Sequence, residues 1–169
     1  MEHFKVYSNG LFQFPKSDDG CWETELTLPT GPVRIDINTS GTEMAEPLLN
    51  RIRDFLVNVE AFDKAARTAI MADFAGGNGN DSASRLYLSH HLAQFSPAER
   101  VQYFGTGRTG SIGIEHLLVS LRLRRMGLYP ESDDRPAVLD YTIGEGATQY
   151  VLAAVFNAEG EFLNLSMES

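Results

Sequence analysis

The chain has 169 residues, 43% of them hydrophobic and 22% charged, a composition that fits one globular domain and not a disordered chain. Fourteen Lys and Arg against 23 Asp and Glu leave a net charge of −9, which repels phosphate backbones and anionic lipid at long range and argues against nucleic acid or a membrane as partner. The single cysteine, Cys21, excludes an internal disulfide and a Cys-based zinc cage; with no signal-like N-terminus and no apolar run of about 18 residues, the expected setting is the cytoplasm.

Residues 4–14, FKVYSNGLFQF, break at Asn9-Gly10, a dipeptide suited to a tight turn, and predict two short strands. CWETELTL and VRIDIN alternate apolar with polar residues on either side of Leu28-Pro29-Thr30-Gly31, which predicts a second hairpin. Ser40 and Glu43 have capping-box spacing, but a helix begun there would hold Pro47 in its interior. The main helix is therefore expected to start near Glu46, with residues 40–45 as a turn or a short separate piece.

From Pro47 to Phe74 the residues Leu48, Ile52, Phe55, Leu56, Val59, Phe62, Ala66, Ala69 and Ile70 recur every three or four positions. That spacing predicts one long amphipathic helix, with Arg51, Arg53, Asp54, Asn58, Lys64 and Arg67 mostly on its solvated side. AGGNGNDSAS ends it. RLYLSHHLAQF, residues 85–95, reads as helical, and Ser96-Pro97-Ala98-Glu99 carries a capping box that opens a short helix ending near Phe104 and Gly105. Ile114, Leu117, Leu118, Leu121 and Met126 predict another helix, with Arg122, Arg124 and Arg125 in its last turns facing the negative end of the helix dipole and Gly127 as its cap. VLDYTI then reads as a strand, and YVLAAVF and EFLNLSM as a hairpin across residues 157–160.

This order of strands, helices and strands predicts an α+β fold in one domain: a mainly antiparallel sheet from N-terminal and C-terminal hairpins, packed on one face by a long central helix and shorter helices. The ending LDYTIGEGATQYVLAAVFNAEGEFLNLSMES, with the helix LLNRIRDFLVNVEAFDKAARTAIMADF, resembles a family of small bacterial proteins classed as a domain of unknown function. The resemblance implies this fold and a bacterial cytoplasmic setting. It brings no catalytic residues to carry over, and by analogy with other small acidic bacterial proteins it points to an immunity or accessory protein.

The candidates for chemistry are few. Gly105, Gly107 and Gly110 spell GxGxxG before a helix, but a helix and not a strand precedes them, so an interhelical loop is the expectation and an anion-binding loop over residues 105–113 the alternative. His90 and His91 point to different helix faces. A metal site from His91, Glu115 and His116 would need the fold to gather them, and His3 carries little weight. Cys21 lacks a neighbour to lower its pKa, and Ser111 lacks a GxSxG elbow. Asp18, Asp19, Glu131, Asp133 and Asp134 sit in predicted loops, as solvated turns in preference to a calcium site or a partner-binding patch.

No catalytic, cofactor-binding or metal-ligating residue is therefore assigned and no cofactor is expected. The leading expectation is a non-enzymatic protein-interaction domain. Its partner is another protein, basic in charge, or a second copy of the chain. The alternative is a ligand-binding protein or small enzyme with its site near the glycine loop.

Overall fold

The structure is a computed structural model that describes residues 18–41, 45–76, 81–144 and 146–169, with the backbone alone at 2–3, 5–6, 12–13 and Thr109. Its centre is a mixed sheet in the order β1 (Glu2–His3), β4 (Cys21–Leu28), β5 (Gly31–Asn38), β6 (Arg122–Leu128), β7 (Ala137–Thr142), β8 (Val151–Phe156), β9 (Phe162–Glu168). β4 and β5 form the expected antiparallel hairpin, closing at the Leu28 and Gly31 pair, and β6 to β9 continue antiparallel. Two pairings are parallel, β5 with β6 and the two-residue β1 with β4. β2 (Lys5–Val6) and β3 (Phe12–Gln13) pair antiparallel as a separate ribbon, as the first hairpin predicts, although Asn9 and Gly10 lie outside the described residues.

Five described helices, α1 (Glu46–Val57), α2 (Val59–Gly76), α3 (Ala83–Gln94), α4 (Pro97–Phe104) and α5 (Ile114–Ser120), lie between β5 and β6 in the chain. Period two sends Val33, Ile35, Ile37, Met126, Leu128, Leu139, Tyr141, Leu152, Ala154 and Phe156 to one face, where they join Ile52, Phe55, Ala66, Ile70, Tyr87 and Leu117 in a single core. Each fully buried aliphatic or aromatic side chain of that kind contributes roughly 1.5–3 kcal/mol. The opposite parity, including Val138, Ala153 and Val155, forms a smaller apolar cluster with Tyr129 on the other face.

The long helix is two helices. Asn58 leaves helical geometry at φ −105° and ψ 15°, its N–H donates to the Phe55 carbonyl and its side-chain amide to the Asp54 carbonyl, which competes with the regular ladder. The apolar stripe continues across the break: Phe55 and Phe62 lie 5.3 Å apart, and Phe62 meets Phe156 edge-on at 5.1 Å. The start at Glu46 with Pro47 in the first turn is as expected, while residues 42–44 lie outside the described set. Arg67 turns inward instead of facing solvent: its guanidinium holds Asp63 at 3.1 Å and donates to the Leu118 and Leu121 carbonyls, capping α5 from α2. The Tyr141 hydroxyl donates to Asp63 at 2.8 Å, and burial, with Asp63 beside it, pushes that hydroxyl well above its ordinary pKa.

Residues 121–128 also differ from the expected helix. The predicted helix ends at Ser120, Leu121 is extended at ψ 131°, and Arg122–Leu128 is strand β6. Arg122 does satisfy the end of α5, donating to the Val119 and Leu121 carbonyls, but Arg124 and Arg125 belong to the sheet and Gly127 is not a helix cap. Elsewhere the boundaries hold. Ser96 and Glu99 form the capping box of α4, Gly105 ends it at φ +75°, a conformation that suits glycine, and β8 and β9 form the C-terminal hairpin.

Candidate functional site

The glycine loop lies beside a cleft of about 530 Å³ between α4 and α5, lined chiefly by Tyr103, Gly105, Glu115, His116, Val119 and Arg122. Of the three glycines only Gly105 reaches it; a Cβ on Gly107 would press on the Pro97 carbonyl and the Val101 side chain instead. The loop amides are turned to internal acceptors. Gly105 N–H donates to the Val101 carbonyl, Arg108 N–H to the Thr106 hydroxyl, Ser111 N–H to the Arg108 carbonyl and Gly113 N–H to His116 Nδ1. A phosphate cradle needs such N–H groups free and converging, so its main requirement is unmet at these four positions.

The side chains of the cleft are similarly engaged. His116 Nδ1 lies 3.3 Å from the Gly113 nitrogen and 3.1 Å from the Glu115 carboxylate, a side chain that is 70% exposed. Ser120 Oγ faces the Tyr103 and His116 carbonyls, so its hydrogen ties α4 to α5 and is not poised for nucleophilic attack. What remains is an open groove whose wall carries Val119, 73% exposed.

The other predicted candidates are dispersed. His91 is buried on α3, donating through Nδ1 to the Tyr87 carbonyl at 2.6 Å and packed on Tyr87 and Phe95; burial holds its pKa below the usual histidine value. His90 packs on Tyr150. The Cys21 thiol is 3.3 Å from Asn38 Oδ1, and Ser111 Oγ donates to the Arg108 carbonyl. Asp19 accepts the Cys21 N–H, while Glu131 clamps Ser40 through its N–H at 2.6 Å and its hydroxyl at 3.0 Å. Asp133 lies 4.0 Å from Arg51, itself bonded to the Pro130 carbonyl. No group of three metal-ligating side chains forms among the described residues.

One polar constellation was not anticipated. On the sheet face opposite the helices Arg125 donates to Asp36, to Asp140 at 2.9 Å and to the Tyr129 hydroxyl at 3.1 Å, while Arg34 approaches Asp36 at 3.0 Å. The register explains it: Arg125 stands between Arg34 and Asp140 in one cross-strand row, and Asp36 lies opposite Gly127 in the next. A Cβ on Gly127 would lie 2.9 Å from the Arg125 guanidinium, so a larger residue there would push that side chain from its place in the cluster. Burial pushes Asp140 above the usual carboxylate range against the pull of Arg125, with Glu168 and Asp36 adding to the rise. Three of the guanidinium's nitrogens are matched by acceptors, so this cluster is a lock across β5, β6 and β7.

The last feature is the sheet edge. β9 ends the strand order, and among the described residues no strand pairs with its outer side. Its register slips by one between Val155 and Phe156, which makes Leu163 an extra residue, 48% exposed, and leaves Asn164–Glu168 as the regular part of the edge. Leu165 and Met167 face the helices, while Asn164, Ser166 and Glu168 face the other way. This stretch has no proline or lysine and only one charge, Glu168, so it lacks most of the devices that normally block edge pairing. No protein-family model matches this chain, and comparison with curated proteins and with solved structures gives no match. No helix among the described residues is long and apolar enough to cross a membrane.

Proposed function

We propose that the chain is a non-enzymatic protein-recognition domain whose contact surface is the outer edge of β9. The observation that carries this reading is the regular stretch Asn164–Glu168, exposed at Asn164 and Glu168 and half-buried between them, which no strand pairs on its outer side among the described residues, beside the exposed Phe162 and Leu163. An added strand would find main-chain donors and acceptors along it, with the alternating side chains supplying selectivity. The net charge of −9 supports the expectation that a foreign partner is basic, through its effect on encounter rates. The immunity or accessory role implied by the bacterial resemblance is one form of the same proposal.

The test is amide hydrogen exchange of the purified chain, alone and with proteins it retains saturably at low salt from a lysate of its source cell. Protection concentrated in residues 163–169 is the expected result. Unchanged exchange there, with protection confined to another surface, overturns the reading.

A second reading, a small-ligand or nucleotide site in the α4–α5 cleft, is favoured by the size of that cleft and the presence of His116 and Arg122 in its wall. It requires that a panel of nucleotides and phosphorylated metabolites contain a compound that raises the melting temperature, and that His116→Ala abolish the shift. A silent panel removes it.

A further inference from the structure

The edge of β9 is complementary to itself, and we propose that its occupant is a second copy of this chain, joined antiparallel about a two-fold axis through Ser166. This rests on the protein-recognition reading and names the partner. With the dyad at Ser166, Leu165 of one copy lies opposite Met167 of the other, Asn164 opposite Glu168, and Ser166 opposite itself. The dyad between adjacent antiparallel strands stands perpendicular to the sheet, so Leu165 and Met167 meet on the helix side of both copies. On the other side the Asn164 amide meets the Glu168 carboxylate, which within its own copy already accepts from Ser166 Oγ at 2.7 Å and from Arg135 at 3.4 Å, and the two Ser166 side chains meet at the centre. The other cross-strand pairs therefore match apolar with apolar or donor with acceptor.

The neighbouring register, with the dyad at Leu165, pairs Phe162 with Glu168 and draws in Leu163, the bulge residue. A bulge bends its strand and interrupts ladder bonding, so this arrangement loses both a main-chain pair and the amide–carboxylate match. The bulge thus acts as a register stop: it closes the N-terminal half of β9 and leaves the half that is self-complementary. The assembly continues both sheets through the dyad, with the two helical layers on the same side.

Sedimentation equilibrium of the full chain, with substitutions at the exposed Asn164, tests this. The wild-type chain is expected to dimerise. Asn164→Glu places two carboxylates opposite each other twice per dimer and weakens dimerisation by roughly fivefold, while Asn164→Lys tightens it by a similar factor. The double variant Asn164→Glu, Glu168→Lys restores dimerisation, because within one copy the two positions are about 13 Å apart and pair only across the dyad. Glu60→Lys, the same charge change as Glu168→Lys on the exposed side of α2, is the control and leaves the dissociation constant within about twofold. A chain that stays monomeric at every concentration, or a dimer indifferent to the sign of residue 164, overturns the proposal. If the monomeric chain still shows β9 protected by a captured protein, self-pairing alone falls; if β9 is protected in neither setting, the recognition reading falls with it.

Discussion

Replacing Arg125 with alanine should be among the most damaging single changes in the sheet. The substitution strands the Asp140 carboxylate, whose side chain is 12% exposed, without its cationic partner and leaves the 5%-exposed Asp36 with Arg34 alone. Breaking a buried ion pair by removing one member costs about 3–5 kcal/mol, a large share of the roughly 5–15 kcal/mol that holds a domain of this size. At a urea dependence of about 2 kcal/mol per molar, that is a midpoint lower by roughly 1.5–2.5 M at pH 7. The pH dependence carries a further signature. Burial already raises Asp140 in the folded protein against the pull of Arg125, so removing Arg125 raises it more. A carboxyl group that binds its proton more tightly in the folded state stabilises the fold when protonated, and that stability is lost as pH rises from the unfolded value through the raised folded one. The deficit of Arg125→Ala should therefore be largest at pH 7 and shrink towards pH 4. A midpoint change below about 0.5 M, or a deficit that grows on acidification, would refute the lock.

Three further outcomes are expected. Phe55→Ala, at a site 3% exposed, should cost about 3–5 kcal/mol and the half-buried Phe62→Ala less, while Arg53→Ala stays within about 0.5; equal midpoints in urea would mean that α1 does not face the core. Asp73 holds the start of α3 through Ser82 Oγ at 2.8 Å and Ser84 N–H at 2.9 Å, so Asp73→Asn should cost about 0.5–2 kcal/mol at neutral pH. Burial raises that carboxyl, but the bonds from Ser84, Ser82 and Ala83 outweigh it and hold the pKa below its ordinary value; the wild-type advantage should be present above about pH 4 and vanish as the pH falls through the lowered value, and a pH-independent difference would contradict this. For His91, lowered by burial, the sign reverses: the neutral ring is preferred in the fold, so stability should fall as pH drops below about 6.5, and His91→Met should flatten that fall in urea midpoints taken between pH 7 and 5.

The hydrophobic pattern made much of this fold legible, and its two failures have physical causes in particular residues. β6 carries an extra residue, Arg124, between Leu123, opposite Tyr141, and Arg125, opposite Asp140. That bulge puts Leu123 and Met126, three apart, on the same face of a strand, and a spacing of three is what a helix would show. The break at Asn58 hides for the opposite reason: Phe55, Val59, Phe62 and Ala66 keep their phase across it, so the periodicity does not record the change of direction. The capping box at Ser96 and the turn at Leu28–Gly31 were readable because each is decided within four residues.

The candidate surfaces were less legible. Asp36 and Arg125 are 89 positions apart and meet only through the parallel pairing of β5 with β6, across five helices. Strand order was likewise invisible, so EFLNLSM read as a hairpin strand without any sign that it would lie at the border of the sheet. The glycine loop illustrates the converse. Its letters match a phosphate motif, but hydrogen bonds from Gly105, Arg108, Ser111 and Gly113 to acceptors a few residues away spend the amides that such a motif would need.

Cysteine cross-linking at the proposed dyad tests the central claim most directly. In a Cys21→Ser background, Ser166→Cys puts the two thiols on directly opposed residues whose Cα atoms lie about 4.5–5.5 Å apart, within the range a disulfide spans, whereas Asn164→Cys leaves its two copies about 13 Å apart. Under mild oxidation Ser166→Cys should convert to a covalent dimer while Asn164→Cys stays monomeric. Equal cross-linking of the two variants, or none in either, would contradict it.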